Sequence, residues 1–261
     1  MTEPAIRFDD GAAYESFMGV WSRLAGDAFL DWLSPGRGER WLDVGCGNGA
    51  FSTLLADRLQ PSALHGIDPS EAQIRFARER TLACPAEFRM GDAMALPYAE
   101  AQFDQSVMAL VIFFVPEPAV GVAEMVRVTR PGGTVSAYAW DLPGGGFPYA
   151  MLQDALRAQG RSPVMPPQAA VAALDALQAV WTGAGLQDVA TTVITVQRIF
   201  RDFEDFWQIA LLGPSLAPAL AKMAPADVAA MREFVRTHLS EERDGRIVCT
   251  ARAHAIKGRV A

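Results

Sequence analysis

The segment RWLDVGCGNG, residues 40–49, decides the fold, because a short apolar run ends in an aspartate and then breaks into three closely spaced glycines. Residues 50–59, which follow it, have the apolar spacing of a helix. Glycine allows a tight turn between strand and helix and lets a ligand approach without a Cβ in the way. The first N–H groups of the helix then face that ligand. A glycine loop alone is a weak signal, so its neighbours must decide what it binds.

The chain after this loop alternates short strands with helices, which is the pattern of a parallel sheet covered on both faces. The predicted strands are 40–44, 63–67, 86–90, 103–111 and 134–140, and the predicted helices are 50–59, 71–83 and 119–129.

The two ends of the chain extend this pattern. Residues 12–33 carry aromatic and aliphatic side chains at helical spacing and predict an amphipathic helix that caps the site. Residues 188–200 and 247–256 predict two further strands, and 201–245 between them are helical in pattern. We expect 1–261 to form one domain, with 201–245 as a helical lid inserted before the last strand.

Composition and charge exclude several classes of function. The net charge of −7 disfavours a phosphate backbone, so we expect no nucleic-acid partner. The three cysteines lack paired spacing, which argues against a disulfide framework or a metal site and fits a cytoplasmic protein. The longest apolar run, 107–115, is too short to span a membrane. Either a monomer or a homodimer fits the sequence.

Three aspartates give the glycine loop a more specific meaning. Asp43 lies two residues before the first glycine, Asp68 ends the second strand, and Asp92 follows the third. The carboxyl ends of parallel strands meet in the crevice where open α/β sheets bind ligands. A carboxylate at Asp68 can accept both hydroxyls of a ribose, and one at Asp92 can accept from an adenine amine. Each acid alone is more often a cap or a solvated strand end.

These motifs resemble those of the class I S-adenosylmethionine-dependent methyltransferases, in particular the small-molecule group that includes quinone-biosynthesis enzymes. The matching motifs are residues 42–49, 66–70, 91–93 with Leu96-Pro97, Phe103-Asp104, and 127–133. The resemblance implies a Rossmann-like α/β fold with seven strands in the order 3-2-1-4-5-7-6, mostly parallel with the last strand antiparallel. It also implies S-adenosylmethionine as the cofactor. The 45-residue link before the last strand departs from the ordinary family and bears on the substrate.

The expected cofactor site combines this resemblance with the N-terminal helix. The resemblance implies that Gly45 and Gly47 line the methionine part, Asp68 holds the ribose, and Asp92 with Ala93 holds adenine. We expect the N-terminal helix to fold over the methionine end. The full set of expected cofactor-binding residues is Tyr14, Trp21, Arg23, Asp43, Gly45, Cys46, Gly47, Asn48, Asp68, Pro69, Asp92, Ala93, Met94 and Ala109.

The methyl acceptor is expected to be a small molecule with an apolar or aromatic body. Aromatic and sulfur side chains near the carboxyl edge suit such a pocket, although ordinary core packing is the alternative for each one. The sequence does not identify a general base. We expect His65 to be structural and Asp141 to cap the next segment, and His238, on the insertion, and His254, on the last strand, are weak candidates. The residues expected in the acceptor pocket are Met18, Phe113, Phe114, Trp140, Tyr149 and Trp207.

Two other functions stay open at this point. An NAD-dependent oxidoreductase would use the same loop and Asp68, but it leaves Asp43 and the Gly91-Asp92-Ala93 motif unexplained. A cofactor-binding or regulatory protein of the same fold without turnover is the non-enzyme alternative. Cofactor competition and a turnover assay separate these cases.

Overall fold

The computed structural model describes residues 15–213 and 216–261, and within them seven strands form one sheet. Its order is β3-β2-β1-β4-β5-β7-β6. The strands β1 to β5 pair in parallel, and β7 is antiparallel to both β5 and β6. The predicted fold class, strand order and antiparallel last strand are therefore confirmed. The strands are β1 Arg40–Val44, β2 Ala63–Asp68, β3 Ala86–Met90, β4 Phe103–Ala109, β5 Thr129–Trp140, β6 Gln187–Phe200 and β7 Ile247–Arg259.

Helices follow most of the strands and cover both faces of the sheet. A π-helical turn, Glu15–Gly19, leads into the first α-helix, and short 3-10 turns occur at Ile112–Phe114 and Ala169–Ala172. The α-helices are α1 Val20–Leu33, α2 Ala50–Leu59, α3 Glu71–Glu79, α4 Pro118–Val128, α5 Ala150–Ala158, α6 Leu174–Gly183, α7 Phe203–Leu211, α8 Leu216–Leu220 and α9 Pro225–His238.

The sheet is buried from both sides, as expected of a parallel sheet between helical layers. In β1 the consecutive residues Trp41, Leu42, Asp43 and Val44 are all wholly buried. Consecutive burial needs cover on both faces, because neighbouring side chains of a strand point in opposite directions. Asp43 therefore stands out as a carboxylate in the centre of an apolar core.

The N-terminal helix packs on the sheet and forms part of the core. Phe29 is fully buried, with its ring centroid 4.6 Å from that of Tyr138 on β5. At the end of α1 the Lys257 ammonium donates to the carbonyls of Trp32 and Leu33 at 3.3 and 3.2 Å. A cation there satisfies carbonyls that no helical N–H can reach. Residues 12–14 of the predicted helix lie outside the described residues.

Two predicted elements end earlier than their apolar patterns suggested. The helix predicted at 71–83 ends at Glu79, where Arg80 turns its side chain to the Asn48 carbonyl. The strand predicted at 103–111 ends at Ala109, because Leu110 has a left-handed backbone with φ 61°. Both interruptions occur beside the glycine loop, where local contacts outweigh strand and helix propensity.

The insertion between β6 and β7 folds as the helices α7, α8 and α9. Met231 and Val235, four residues apart, form an apolar stripe on α9 and are both fully buried. Since this burial occurs within one chain, the stripe needs no second copy to cover it. No helix of the described residues is long and apolar enough to cross a membrane.

Candidate functional site

A continuous cavity of about 870 Å³ opens at the carboxyl ends of the central strands. It runs from the glycine loop after β1 to helix α8 in the insertion. The carboxyl edge beside β1 is where strand order reverses, between β2 on one side and β4 on the other. Open α/β sheets place ligands at this kind of position.

The glycine loop needs its glycines for both conformation and space. Gly45, Gly47 and Gly49 have φ values of 76°, 52° and 80°, which side-chain-bearing residues rarely adopt. The Gly45 N–H donates to the Ile67 carbonyl at 2.7 Å and ties the loop to β2. A Cβ on Gly45 would lie 2.4 Å from Cγ1 of Val111, so a side chain is excluded there.

Asp43 is a buried carboxylate with one unused oxygen at the cavity. Its Oδ2 accepts from the Ser52 hydroxyl at 2.6 Å, while Oδ1 has no hydrogen-bond partner among the described residues. Burial, and to a smaller extent the charge of Asp68, raise the pKa of Asp43 to about 7, although the Ser52 bond opposes this. A buried acceptor without a partner is costly unless a ligand supplies a donor. A bound ammonium group fits that requirement.

Asp68, the last residue of β2, organises the loop with its own carboxylate. Its Oδ2 accepts from the Gly47 N–H at 3.0 Å, and its Oδ1 accepts from the Ser70 N–H at 2.9 Å. Desolvation raises the pKa of Asp68, and these two backbone bonds counteract it. A carboxylate oxygen can accept more than one donor, so capacity for two hydroxyls remains.

The third carboxylate lies at the open end of the same crevice. Asp92 is exposed, and its Oδ1 accepts from the Met94 N–H at 2.8 Å in a tight turn after β3. Asp92 and Ala93 line the cavity, as do Ala109 at the end of β4 and Pro69 after β2. These four residues lie at or just after the carboxyl ends of β2, β3 and β4.

A small polar cluster ties the N-terminal turn to the glycine loop. Glu15 accepts from the Asn48 amide at 3.2 Å and pairs with Arg80 at 2.8 Å. Arg80 also donates to the Asn48 carbonyl, and the Asn48 side-chain oxygen caps the Ala50 N–H at 3.1 Å. The cluster holds Phe17 and Met18, which line the cavity, directly above the loop.

The rest of the cavity is predominantly apolar, and we call it the acceptor arm. The Tyr149 hydroxyl donates to the Phe17 carbonyl at 3.0 Å, and burial raises the pKa of Tyr149 to about 12. This phenol is therefore a fixed donor rather than a base at neutral pH. The described residues of the acceptor arm are Phe17, Met18, Leu110, Val111, Phe113, Phe114, Val115, Pro116, Tyr138, Trp140, Leu142, Phe147, Tyr149, Leu152, Gln153, Leu156, Arg161, Ser162, Pro163, Val164, Pro166, Ala210, Gly213, Leu216, Ala219 and Lys222.

Most of the residues predicted from the sequence line this cavity. On the cofactor side they are Asp43, Gly45, Cys46, Gly47, Asn48, Asp68, Pro69, Asp92, Ala93 and Ala109, and on the acceptor side Met18, Phe113, Phe114, Trp140 and Tyr149.

Four other predicted residues do not line the cavity. Trp21 is fully buried beside Tyr149, Arg23 is exposed, and Met94 contributes its backbone N–H to the Asp92 turn. Trp207 is buried in the insertion, stacked on the Phe203 ring at 6.0 Å. Their residue types matched a pocket, but helix phase points the side chains of Trp21, Arg23 and Trp207 elsewhere, and Met94 lies in a turn. Tyr14 lies outside the described residues.

Several lining residues carried no recognisable signal in the sequence. Ser22 and Phe51 come from helices whose inner faces read as ordinary core, and Gln73 lies one turn into α3. Arg161 and Lys222 are single cations within proline-containing apolar stretches. A lone cation in such a stretch is the sequence signal that could have identified them.

Comparison with known proteins supplies the family. Residues 42–137 match the methyltransferase domain family. This match, together with the methyltransferase relatives described below, supports the class I S-adenosylmethionine-dependent methyltransferase family that the motifs predict. The predicted family and its cofactor, S-adenosylmethionine, are thereby confirmed. The matched segment begins within β1 and ends within β5, and it contains all three aspartates of the site.

Relatives of this chain differ in what their names say they methylate. A fatty-acid O-methyltransferase from Mycolicibacterium smegmatis is 36% identical over 37% of this chain and 35% of that protein. The ubiquinone/menaquinone biosynthesis C-methyltransferase UbiE from Paracoccus denitrificans is 33% identical over 50% of this chain and 52% of that protein. The chain thus spans about a third to a half of these relatives.

Solved structures match over nearly the whole chain at low identity. Phosphoethanolamine N-methyltransferase 2 from Haemonchus contortus, in complex with S-adenosyl-L-methionine, superposes with a TM-score of 0.57 and 17% identity. The match covers 97% of this chain and 58% of that one. It supports the fold.

Proposed function

We propose that this chain transfers the methyl group of S-adenosylmethionine to a small acceptor with an apolar or aromatic body. One observation carries the proposal: a single cavity has carboxylates around a glycine loop at one end and an apolar arm at the other. The first end suits the cofactor and the second suits the acceptor, so one space accommodates both reactants.

The cofactor end fits S-adenosylmethionine group by group. The unpartnered Oδ1 of Asp43 would accept from the amino group of its methionine part. Asp68 would accept from the ribose hydroxyls, and Asp92 with Ala93 would hold the adenine. The open space at Gly47, where an added Cβ would meet nothing closer than Oε1 of Gln73 at 3.9 Å, would admit the methionine part. Each group thus finds a partner that the fold already holds in place.

The protein's part in the reaction is alignment and exclusion of water. Bound S-adenosylmethionine supplies a methyl group already activated on a sulfonium. Trp140, Tyr149 and Phe113 are almost fully buried and would fix the acceptor in line with it. Alignment of this kind can contribute about 7–11 kcal/mol to lowering a barrier. Walls without water also keep the nucleophile unsolvated.

The acceptor arm offers no strong base to the acceptor. None of its described residues is Asp, Glu, His or Cys. The acceptor would therefore enter with a nucleophilic atom that needs no deprotonation by a side chain of the arm, such as a carboxylate, a thiolate or an amine.

Two segments would close the site. The Glu15 cluster places the N-terminal turn over the glycine loop, which supports 12–33 as a cap over the methionine end. The insertion contributes Ala210, Gly213 and Leu216 to the arm, which supports 201–245 as a lid that sets substrate choice. Burial of the α9 stripe within the same chain favours this lid over a dimerisation arm.

Turnover tests the proposal directly. Purified protein with S-adenosylmethionine and a panel of apolar carboxylic acids, thiols, amines and phenols should release S-adenosylhomocysteine in an acceptor-dependent manner. Leu216→Trp, which narrows the arm, should reduce turnover without weakening S-adenosylhomocysteine binding. If the cofactor binds and no class of acceptor is methylated, the protein is a cofactor-binding protein without turnover.

A further inference from the structure

We infer that the acceptor is an amphiphile whose anionic group lies at the cavity mouth between Arg161 and Lys222 while its apolar body fills the acceptor arm. The inference rests on the proposed function, because it names the class of acceptor for the same cavity. The shared chemistry of the anionic group is a carboxylate or a phosphate.

Charge is segregated along the cavity. The acidic lining residues Asp43, Asp68 and Asp92 all lie at the cofactor end. Arg161 and Lys222 are the only cationic residues among the described lining, and both lie in the acceptor arm. This is unexpected in a chain of net charge −7 that has two lysines in total. A cationic entrance on an acidic protein selects for anionic ligands.

The positions of these two cations place them at the entrance. Arg161 and Lys222 are both exposed, whereas Phe113, Trp140 and Tyr149 of the same arm are buried. The arm therefore leads from solvent, past the cations, to the aromatic interior. An anionic group at that entrance stays hydrated and avoids the large cost of burying a charge.

The two cationic side chains keep most of their hydrogen-bonding capacity free within the described residues. The Lys222 ammonium has no hydrogen-bond or ion-pair partner among residues 15–213 and 216–261. Arg161 has one ion pair, with Asp227 at 3.6 Å, which is longer than a hydrogen bond. A guanidinium has five N–H donors, so most of its capacity is free for a ligand.

The arrangement would also orient the acceptor. An apolar body gains free energy by leaving water, at roughly 25 cal/mol per Å² of apolar surface buried. The anionic end resists entry, so the opposite end of the molecule is the one that reaches the cofactor. A carboxylate at the mouth is then a recognition group, distinct from the atom that is methylated.

A pair of fluorescent probes isolates the contribution of the charge. Anilinonaphthalene sulfonate and its neutral parent N-phenylnaphthylamine share one aromatic body and differ in the sulfonate. Both are titrated onto protein saturated with S-adenosylhomocysteine, and the signal lost in Ala219→Trp, which obstructs the arm, defines binding in the cavity. Saturation is checked by calorimetry, so a failure of the proposed cofactor site is seen separately.

The double variant Arg161→Gln/Lys222→Gln tests whether these two cations bind the anionic group. It should weaken cavity binding of the sulfonate probe about fivefold to tenfold and leave the neutral probe unchanged. The matched control Arg37→Gln/Arg243→Gln, two exposed arginines outside the lining, should change neither. Equal effects on both probes, or the same loss in the control, would overturn the inference.

Displacement of the sulfonate probe distinguishes a carboxylate from a phosphate as the anionic group of the acceptor. Decanoate, decyl phosphate and decanol have the same chain length and differ in the head group. The inference predicts that at least one anion displaces the probe more tightly than decanol, and that this advantage disappears in the double variant. The stronger anion identifies the head group, and decanol as the tightest ligand would contradict the inference.

Discussion

We expect the buried carboxylate of Asp43 to strengthen cofactor binding and to lower the stability of the cofactor-free protein. The variant Asp43→Asn should separate these two effects. Burial shifts the pKa of Asp43 from 3.8 to about 7, which corresponds to about 4 kcal/mol of unfavourable free energy for the charged form. Because the folded pKa is the higher one, stability from this group is fully present below pH 3.8 and lost as the pH rises to about 7. The asparagine carboxamide oxygen can still accept from Ser52.

Denaturant unfolding of the cofactor-free protein measures this effect. At pH 8 the Asp43→Asn variant should be more stable than the wild type, by up to about 4 kcal/mol. At pH 5, which lies above the unfolded pKa of 3.8 and below the folded pKa of about 7, the difference should shrink to about 1.6 kcal/mol, and it should vanish below pH 3.8. Asp57→Asn, an exposed aspartate on α2, serves as the control and should match the wild type at both values. An Asp43→Asn variant that is less stable than the wild type by the same amount at both pH values would refute the reasoning.

Cofactor binding should respond in the opposite direction. Loss of a charged acceptor for the amino group should weaken S-adenosylhomocysteine binding by about 10- to 100-fold in Asp43→Asn. Wild-type affinity should also fall about tenfold per pH unit below the pKa of about 7, whereas the variant should show no such slope. Calorimetry over this pH range separates the two proteins.

Three further changes test other parts of the site. Asp68→Asn should weaken S-adenosylhomocysteine binding by about 10- to 100-fold in calorimetry, because an amide cannot accept from both Gly47 and Ser70. Gly45→Ala should abolish binding through its contact with Val111, whereas Gly38→Ala, at a similar φ of 73° with open space around it, should retain binding with a small loss of stability. Glu15→Gln should speed hydrogen exchange of the N-terminal turn in the bound protein, and unchanged protection would mean that the turn is scaffold alone.

The sheet was predictable because its signals are local and repeated. Strand-helix alternation and the glycine turn fix a parallel sheet, and the strand order came with the motifs around Asp43, Asp68 and Asp92. The same topology brings the carboxyl ends of β1, β2 and β3 together, so residues distant in sequence meet in one crevice.

The acceptor side was less predictable because it depends on helix phase and on long connections. Trp21 and Met18 are neighbours on one aromatic-rich segment, yet Met18 faces the cavity and Trp21 faces the core. Residue type does not distinguish these orientations. Arg161 and Lys222 are 61 positions apart and line the same acceptor arm only through tertiary folding, which no local pattern encodes.

Calorimetric titration with S-adenosylhomocysteine and, separately, with NAD⁺ tests the central claim most directly. Both ligands carry adenine and ribose, but only the first has an amino acid part that can meet Oδ1 of Asp43. We predict saturable binding of one S-adenosylhomocysteine per chain, weakened in Asp43→Asn, and no saturable binding of NAD⁺. Tighter binding of NAD⁺, or S-adenosylhomocysteine binding that is unchanged in Asp43→Asn, would contradict the assignment of this cavity as a methyltransferase site.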